Sequence, residues 1–228
     1  MALAFAHIRE PKEWSKKTVD QVLLSGDEYY RNIIKRLEEN NKLVSKMLMV
    51  DELDRNFSFS NKEVTFDIND CCVNGVLGYP DHGDVLNIKT GLLKFFNEFD
   101  FGVLTCRHIS VAVWRKDGVF YYFDSHNRDN KGLTTAYGTA CLLRLLNIDD
   151  LAKSIESNLY PDKNSFFNIG AFDVKLLEAE EEGGMVRQPL IISSRTVKMK
   201  ILLFYCPKPV TKIPSMNLMR ENRRYRCA

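Results

Sequence analysis

Apolar residues recur at helical spacing in several stretches of the chain. Two capping-box sequences, Thr18-Val-Asp-Gln21 and Ser25-Gly-Asp-Glu28, predict two successive helix starts near the N-terminus. The second of these helices carries an apolar face and a charged face. Asp84 is predicted to cap a third helix that runs to about Phe99, and Asp149–Leu159 has the pattern of a fourth.

Between and after these helices the pattern changes to short apolar or alternating runs, which predict strands. The predicted strands are Lys46–Val50, Glu63–Ile68, Val73–Leu77, Ile109–Trp114, Val119–Phe123, Ala140–Leu146, Phe172–Leu177 and Lys198–Cys206. Asp117-Gly118 lies between two of them and is a strong hairpin signal. A few helices flanking a mainly antiparallel sheet predict an α+β fold.

The composition is that of one globular domain. The chain has 228 residues, of which 45% are hydrophobic and 27% charged, and this is enough for a substantial core. A net charge of +2 gives no global field that favours nucleic acid or a membrane, and no apolar run reaches the length of about 18 residues that a membrane span needs. The N-terminus lacks the basic segment of a secretion signal. We predict one domain over residues 1–206, a basic tail over 207–228, and a cytoplasmic or nuclear location.

The cysteines form no recognisable framework, because none belongs to a C-x-x-C pair. They are Cys71, Cys72, Cys106, Cys141, Cys206 and Cys227. A chain with a real core needs no disulfides, so we predict that all are reduced thiols. His7, His82 and His108 show no metal-ligand spacing with them, and no nucleotide-binding or zinc-hydrolase motif is present. Neither a metal nor another cofactor is predicted.

The segment with the clearest chemical content is Asp124-Ser-His126, which directly follows the predicted strand Val119–Phe123. Residues two apart in a strand project from the same face, so the Asp124 carboxylate is predicted to hold the His126 imidazole in one tautomer. A general base beside a nucleophile requires this arrangement. The alternative is that Asp124 caps the following loop and His126 is simply exposed.

The wider context of this motif resembles a known family. FDSHNRD at residues 123–129, followed by a glycine-containing loop and GTACLL at 138–143, is similar to the Asp-x-His motif of papain-like ubiquitin hydrolases. Upstream, residues 14–30 are similar to a Trp–helix–Gly-Asp-x-x-Tyr stretch of the same group. This group comprises the deubiquitinases of herpesvirus large tegument proteins and related viral and arthropod proteins.

The resemblance implies a papain-like cysteine-peptidase fold in which Asp124 orients His126 and His126 deprotonates a cysteine. In the family that cysteine lies in a Gln-Cys context at a helix start near the domain N-terminus, where the helix end lowers the pKa of a thiol. Residues 1–13 contain no cysteine, and MALAFA at residues 1–6 resembles the apolar helix that would follow it. The nucleophile is therefore either lost or part of a longer parent chain.

The family fold also predicts how this first helix packs. Its apolar side should lie under the sheet that presents the histidine. We therefore expect Leu3 and Phe5 to be buried against Val111, Val113 or Tyr121.

Three function hypotheses follow. The favoured one is a degenerate deubiquitinase-like domain, a pseudoenzyme that binds ubiquitin, a ubiquitin-like protein or another protein. The second is an active cysteine hydrolase that uses Asp124 and His126 with an internal cysteine, for which the candidates are Cys106, Cys71 and Cys72. The third is a nucleic-acid-binding protein, and it rests on the basic residues of the tail, Arg220, Arg223, Arg224 and Arg226.

Overall fold

Four α-helices and seven strands are present in the computed structural model, which describes residues 1–59, 62–78, 80, 85–159 and 165–177. The helices are α1 (Ala2–Ile8), α2 (Lys16–Glu39), α3 (Ile88–Glu98) and α4 (Ile148–Leu159), with short 3-10 turns at Pro11–Glu13 and Val50–Glu52. The strands are β1 (Asn56–Phe59), β2 (Lys62–Leu77), β3 (Phe101–Cys106), β4 (Ile109–Lys116), β5 (Val119–Arg128), β6 (Thr139–Leu145) and β7 (Ser165–Leu177).

The seven described strands form a single sheet in the order β1-β2-β7-β3-β4-β5-β6, and each neighbouring pair is antiparallel. Strands β3 to β6 form a meander, whereas β7 inserts between β2 and β3 and pairs with both. A register shift between Asn69 and Val73 marks a bulge in the long strand β2. The predicted antiparallel sheet with flanking helices is confirmed.

The sheet separates two hydrophobic cores, one on each face. Helices α1 and α2 pack on one face, over Trp114 and Tyr121. Helices α3 and α4 pack on the other, over Val113 and Tyr122. Successive strand residues point to opposite faces, so β4 and β5 supply alternate residues to the two cores.

The packing of α1 agrees with the expectation only in part. Leu3 and Phe5 are buried and belong to the same core as Tyr121. Val111 and Val113 lie in the core on the opposite face, so those two predicted contacts are wrong. Both faces of β4 are covered, and an apolar run of this kind does not reveal which residues face which helix.

Helix α2 is continuous where two helices were predicted. Its N-cap is Ser15, whose hydroxyl accepts a hydrogen bond from the Thr18 N–H at 3.3 Å, while the Thr18 hydroxyl accepts one from the Ser15 N–H at 3.2 Å. The capping boxes predicted to start at Thr18 and Ser25 are therefore wrong. The Ser15–Thr18 pair satisfies backbone amides at the helix start, so the N-cap lies three residues before Thr18, and the helix then runs through Ser25.

Helix α3 begins later than predicted. Its N-cap is Asn87, whose Oδ1 accepts a hydrogen bond from the Thr90 N–H at 2.9 Å. The predicted cap, Asp84, lies outside the described residues.

The strand predictions need several corrections: β1 was not predicted, and β7 begins at Ser165 rather than at Phe172. Residues 46–50 form no strand, because Leu48 inserts into the core beside α2 and the Tyr30 hydroxyl donates to the Lys46 carbonyl at 2.8 Å. The two predicted strands between Glu63 and Leu77 are one strand, β2. Strand β3 was not predicted, because a central strand covered on both faces shows no alternation. The predicted strand at residues 198–206 and the domain end at 206 lie outside the described residues.

Candidate active site

Strand β5 places four polar or ionisable side chains at alternate positions. Tyr122, Asp124, His126 and Arg128 follow one another two residues apart, and the contacts between their side chains put them on one face of the strand. Pairing with β6 is regular up to Asp124 and shifts register before Arg128. The strand is thus irregular where His126 projects, a feature that often re-aims side chains beside functional sites.

Asp124 is fully buried, and its carboxylate accepts five hydrogen bonds. Oδ1 accepts from the backbone N–H of His126 at 2.9 Å and from Nδ1 of its ring at 2.6 Å. Oδ2 accepts from the Tyr122 hydroxyl at 2.7 Å, from Arg128 Nε at 2.8 Å and from Arg128 Nη2. A buried carboxylate is stable only when it is paired and hydrogen-bonded in this way. The predicted contact between Asp124 and the histidine ring is present.

These contacts determine where the protons lie. Burial alone raises the pKa of Asp124, but the hydrogen bonds and charge of His126, followed by the Tyr122 hydroxyl, outweigh it and bring the pKa to about 2. The carboxylate is therefore ionised at neutral pH and only accepts, so the proton between it and His126 lies on Nδ1. Tyr122 stays protonated, because burial and the Asp124 charge raise its pKa well above the ordinary value.

The second ring nitrogen of His126 is unpaired. Nε2 is buried and forms no hydrogen bond with any described residue, although the side chain as a whole is 17% exposed. In the neutral ring, a proton on Nδ1 leaves a lone pair on Nε2, and this is the form of imidazole that takes a proton from a nucleophile. A buried polar atom left unpaired costs on the order of 1–3 kcal/mol, so it marks a candidate functional atom.

The predicted candidate thiols are not placed as activated nucleophiles. Cys106 is 2% exposed, and its Sγ donates to the Leu159 carbonyl at 3.8 Å. Burial raises the pKa of Cys106 to about 11, which is the opposite of activation. The Sγ of Cys72 donates to a backbone carbonyl at 3.1 Å.

Cys71 is disulfide-bonded, so the prediction that every cysteine is a reduced thiol is wrong for this residue. It lies in the bulge of β2 with a φ of 56°, a backbone conformation that breaks the strand alternation. Sequence periodicity does not show where such a side chain points. Cys71 is therefore not available as a thiol nucleophile in this state.

Cys141 pairs with Asp124 across β5 and β6 and packs at the edge of the α3–α4 core. Burial raises its pKa to about 11, and the neighbouring Asp124 charge adds to that effect. Cys141 is therefore a partly buried residue packed against this core and is not an activated thiol.

A role for Arg128 was not predicted from the sequence. Its side chain is 2% exposed, and it bridges Asp124 to the Thr134 hydroxyl. The Thr134 hydroxyl in turn contacts Asn158 Oδ1 at 3.3 Å, and Asn158 Nδ2 donates to the Gly132 carbonyl at 2.7 Å. A network therefore joins the Asp124–His126 pair to residues 129–138 and to helix α4. The period-two spacing from Tyr122 onward was the signal that could have found it.

The remaining kinds of site are a metal site, a membrane span and a nucleic-acid-binding surface. Among the described residues, no group of three or more His, Cys, Asp or Glu side chains could hold a metal ion. Within the same part of the chain, no helix is long and apolar enough to cross a membrane. The four arginines behind the nucleic-acid hypothesis lie outside the described residues.

Comparison with known proteins identifies the family. A family model described as the herpesvirus tegument protein N-terminal conserved region matches residues 1–178. The chain belongs to this family. The predicted relation to viral tegument proteins is thereby confirmed, while relation to arthropod proteins and a cytoplasmic or nuclear location stay predictions. No curated protein matches the chain.

A solved structure similar to this tegument-family chain is the ubiquitin-specific protease encoded by the murine cytomegalovirus tegument protein M48. That crystal structure is a complex with a ubiquitin-based suicide substrate. The TM-score is 0.61 at 12% sequence identity, over 78% of this chain and 76% of that chain. The similarity confirms the predicted fold. The roles of Asp124 and His126 stay predictions.

Proposed function

We propose that this domain is a catalytically degenerate deubiquitinase-like module that binds ubiquitin or a ubiquitin-like protein. The observation that carries the proposal is the Asp124–His126 pair, which keeps the hydrogen bond and open Nε2 of a general base. The thiols of Cys72 and Cys106 are engaged with backbone carbonyls instead. The base geometry is thus retained without a described thiol in an activating position.

The choice of partner rests on the family relation. The M48 protease, which shares the fold, was captured with a ubiquitin-based substrate. Because this chain shares the fold of that protease, ubiquitin is the first partner to test. We also propose that residues 1–206 form one domain, although the family match ends at residue 178. Neither comparison supports nucleic acid as a partner.

The second candidate function is an active cysteine hydrolase. The observation that favours it is the unpaired, buried Nε2, because a ring nitrogen with no hydrogen bond from the described residues is open to a proton from a thiol. The thiol would have to come from Cys106 or Cys72 after a local rearrangement, from Cys71 after reduction of its disulfide, or from a longer parent chain.

Two measurements on the 228-residue chain separate these functions. Isotope-labelled ubiquitin is titrated with the chain and followed by NMR, and a ubiquitin carrying a thiol-reactive C-terminal group is incubated with the chain under reducing and non-reducing conditions. We expect saturable binding and no covalent adduct in the wild type. His126→Ala should bind ubiquitin with similar affinity, because a pure binding module does not use the base.

The outcomes are distinct. A covalent adduct that disappears in His126→Ala establishes the hydrolase, and the matched substitutions Cys106→Ser and Cys72→Ser then identify its thiol. Binding weaker than a Kd of about 1 mM, equivalent to about 4 kcal/mol, together with no adduct, refutes the proposed ubiquitin-binding function.

A further inference from the structure

The Arg128 side chain is held at both ends of its guanidinium group. Nε and Nη2 donate to Asp124 Oδ2, and Nη1 donates to the Thr134 hydroxyl. The guanidinium is a permanent positive charge, and both it and the carboxylate are almost completely removed from water, at 2% and 0% exposure. A planar group with this many donors fixes the orientation of a carboxylate far better than a point charge does.

This orientation matters for His126. With three donors on Oδ2, the Asp124 carboxylate cannot rotate without breaking the contacts from Tyr122 and Arg128. Its other oxygen, Oδ1, is therefore directed at Nδ1 and at the backbone N–H of His126. The hydrogen bond on Nδ1 selects the tautomer in which Nε2 has the lone pair.

The backbone of Arg128 is held as well. It pairs with Thr139 of β6 and forms an isolated bridge with Thr134. At Gly138 a Cβ atom would lie 2.3 Å from the Arg128 carbonyl oxygen and 2.7 Å from its nitrogen, so only glycine permits this approach. Arg128 is thus fixed relative to residues 129–138 from both its side chain and its backbone.

We propose that Arg128 is a positioning residue for the Asp124–His126 pair, holding the carboxylate so that His126 keeps its proton on Nδ1 and its lone pair on Nε2. The anchor of this arrangement is Thr134, which is supported by Asn158 of α4. The inference rests on the proposed role of the pair and adds the element that sets its geometry. Tyr122 donates one hydrogen bond from a neutral hydroxyl to Asp124 Oδ2, whereas Arg128 supplies a positive charge and two donors from one planar group.

The test reads the tautomer of His126 directly. The full chain is labelled with ¹⁵N at histidine, and long-range proton–nitrogen NMR spectra are recorded without ubiquitin. The pH is raised until the ring spectrum stops changing, so that the neutral form is observed. The His126→Ala spectrum assigns the resonances.

Four variants are compared with the wild type. Arg128→Met removes the charge and the guanidinium donors at similar side-chain length, and Arg128→Lys keeps the charge without the planar group. Thr134→Val removes the hydroxyl that accepts from Arg128 Nη1. Arg144→Met is the matched control, because Arg144 is an exposed arginine on the neighbouring strand β6. We expect the Nδ1–H form to dominate in the wild type and in the Arg144 control. Its share should fall at least about twofold in Arg128→Met, and by a smaller but measurable amount in Arg128→Lys and Thr134→Val.

A folded Arg128→Met chain with the wild-type tautomer overturns the proposal. If Arg128→Met does not fold, Arg128→Lys and Thr134→Val decide the matter, and a wild-type tautomer in both overturns it equally. A merely structural role for Arg128 changes stability and leaves the tautomer of the folded protein unaltered. The readout needs no ubiquitin, so failure of the proposed function and failure of this inference are distinguishable.

Discussion

Replacing Asp124 by asparagine tests the central electrostatic feature of the site with almost no change in volume. The carboxylate accepts from His126, Tyr122 and Arg128, whereas an asparagine amide has one acceptor oxygen and one donor NH2 group. In either orientation the amide therefore directs a donor at another donor. Arg128 is also left buried without its counter-charge. Removing one partner of a buried ion pair costs about 3–5 kcal/mol, and we expect a loss of unfolding free energy of that size at neutral pH.

The pH dependence gives the prediction its specific form. The pKa of Asp124 is lowered from 3.8 to about 2 in the folded state, so the folded chain binds this proton less readily than the unfolded chain. The resulting stabilisation, about 2 kcal/mol, is complete above the unfolded pKa and is lost as pH falls through the folded pKa. About 1 kcal/mol of it is lost by roughly pH 3. Asparagine does not titrate, so the difference between wild type and variant should narrow by that amount between neutral pH and pH 3.

Urea unfolding measures both quantities. Tryptophan fluorescence reports the packing of the buried Trp114, far-ultraviolet circular dichroism reports secondary structure, and coincidence of the two transitions checks two-state behaviour. A difference of less than about 1 kcal/mol at neutral pH, or one that stays the same at low pH, refutes the reasoning, because either result means that the buried charge is not stabilised by the network.

Three further predictions use the same protein. Gly138→Ala should destabilise the chain by about 1–3 kcal/mol, because its Cβ would lie 2.3 Å from a backbone oxygen. Gly26→Ala in α2 should stabilise the chain by about 0.5–1 kcal/mol, because its Cβ would meet Met1 Cβ at an ordinary contact distance of 3.7 Å. Urea unfolding of both variants tests the pair. Cys106 should resist alkylation in the native chain until the pH approaches its pKa of about 11, whereas the urea-unfolded chain should react at much lower pH; peptide mapping that finds rapid native labelling at neutral pH contradicts its assigned burial. A cysteine added before Met1 on a short helical extension should react with the ubiquitin electrophile and lose that reaction on His126→Ala, and labelling that survives the second change shows that no site was rebuilt.

The Asp124–His126 contact could be predicted from sequence because it depends only on local geometry. Two residues separated by one in a strand share a face wherever the strand lies in the sheet. Arg128 obeys the same period and was missed for a different reason. Its place in β5 depends on pairing with Thr139, which resumes only after the register shift beyond Asp124. The period-two spacing places Arg128 on the same face as Asp124, but it does not show that strand β5 extends as far as Arg128, because that extension depends on long-range pairing with β6.

The fold shows the same division between local and long-range information. Apolar alternation identified β4 and β5, where strong strands meet at a tight turn. It did not identify β3, which is covered on both faces, and it divided β2 at its bulge. The assignment of α1 to one core and of Val113 to the other depends on which helices cover each face of the sheet. Tertiary packing decides which helices cover each face, and the periodicity within one strand carries no information about it.

Stability alone does not account for the way His126 is held. A buried ion pair is often no more stable than well-packed apolar residues of the same volume, and an unpaired buried nitrogen lowers stability further. Yet the two oxygens of the Asp124 carboxylate accept five hydrogen bonds. The bond from Nδ1 is one of them, and in the neutral ring it leaves the lone pair on Nε2. The arrangement is costly for folding and useful for accepting a proton or a hydrogen bond from another molecule. In an enzyme a thiol would satisfy Nε2, whereas a pure binding module does not use this atom, so the response of ubiquitin binding and of adduct formation to His126→Ala separates the two candidate functions.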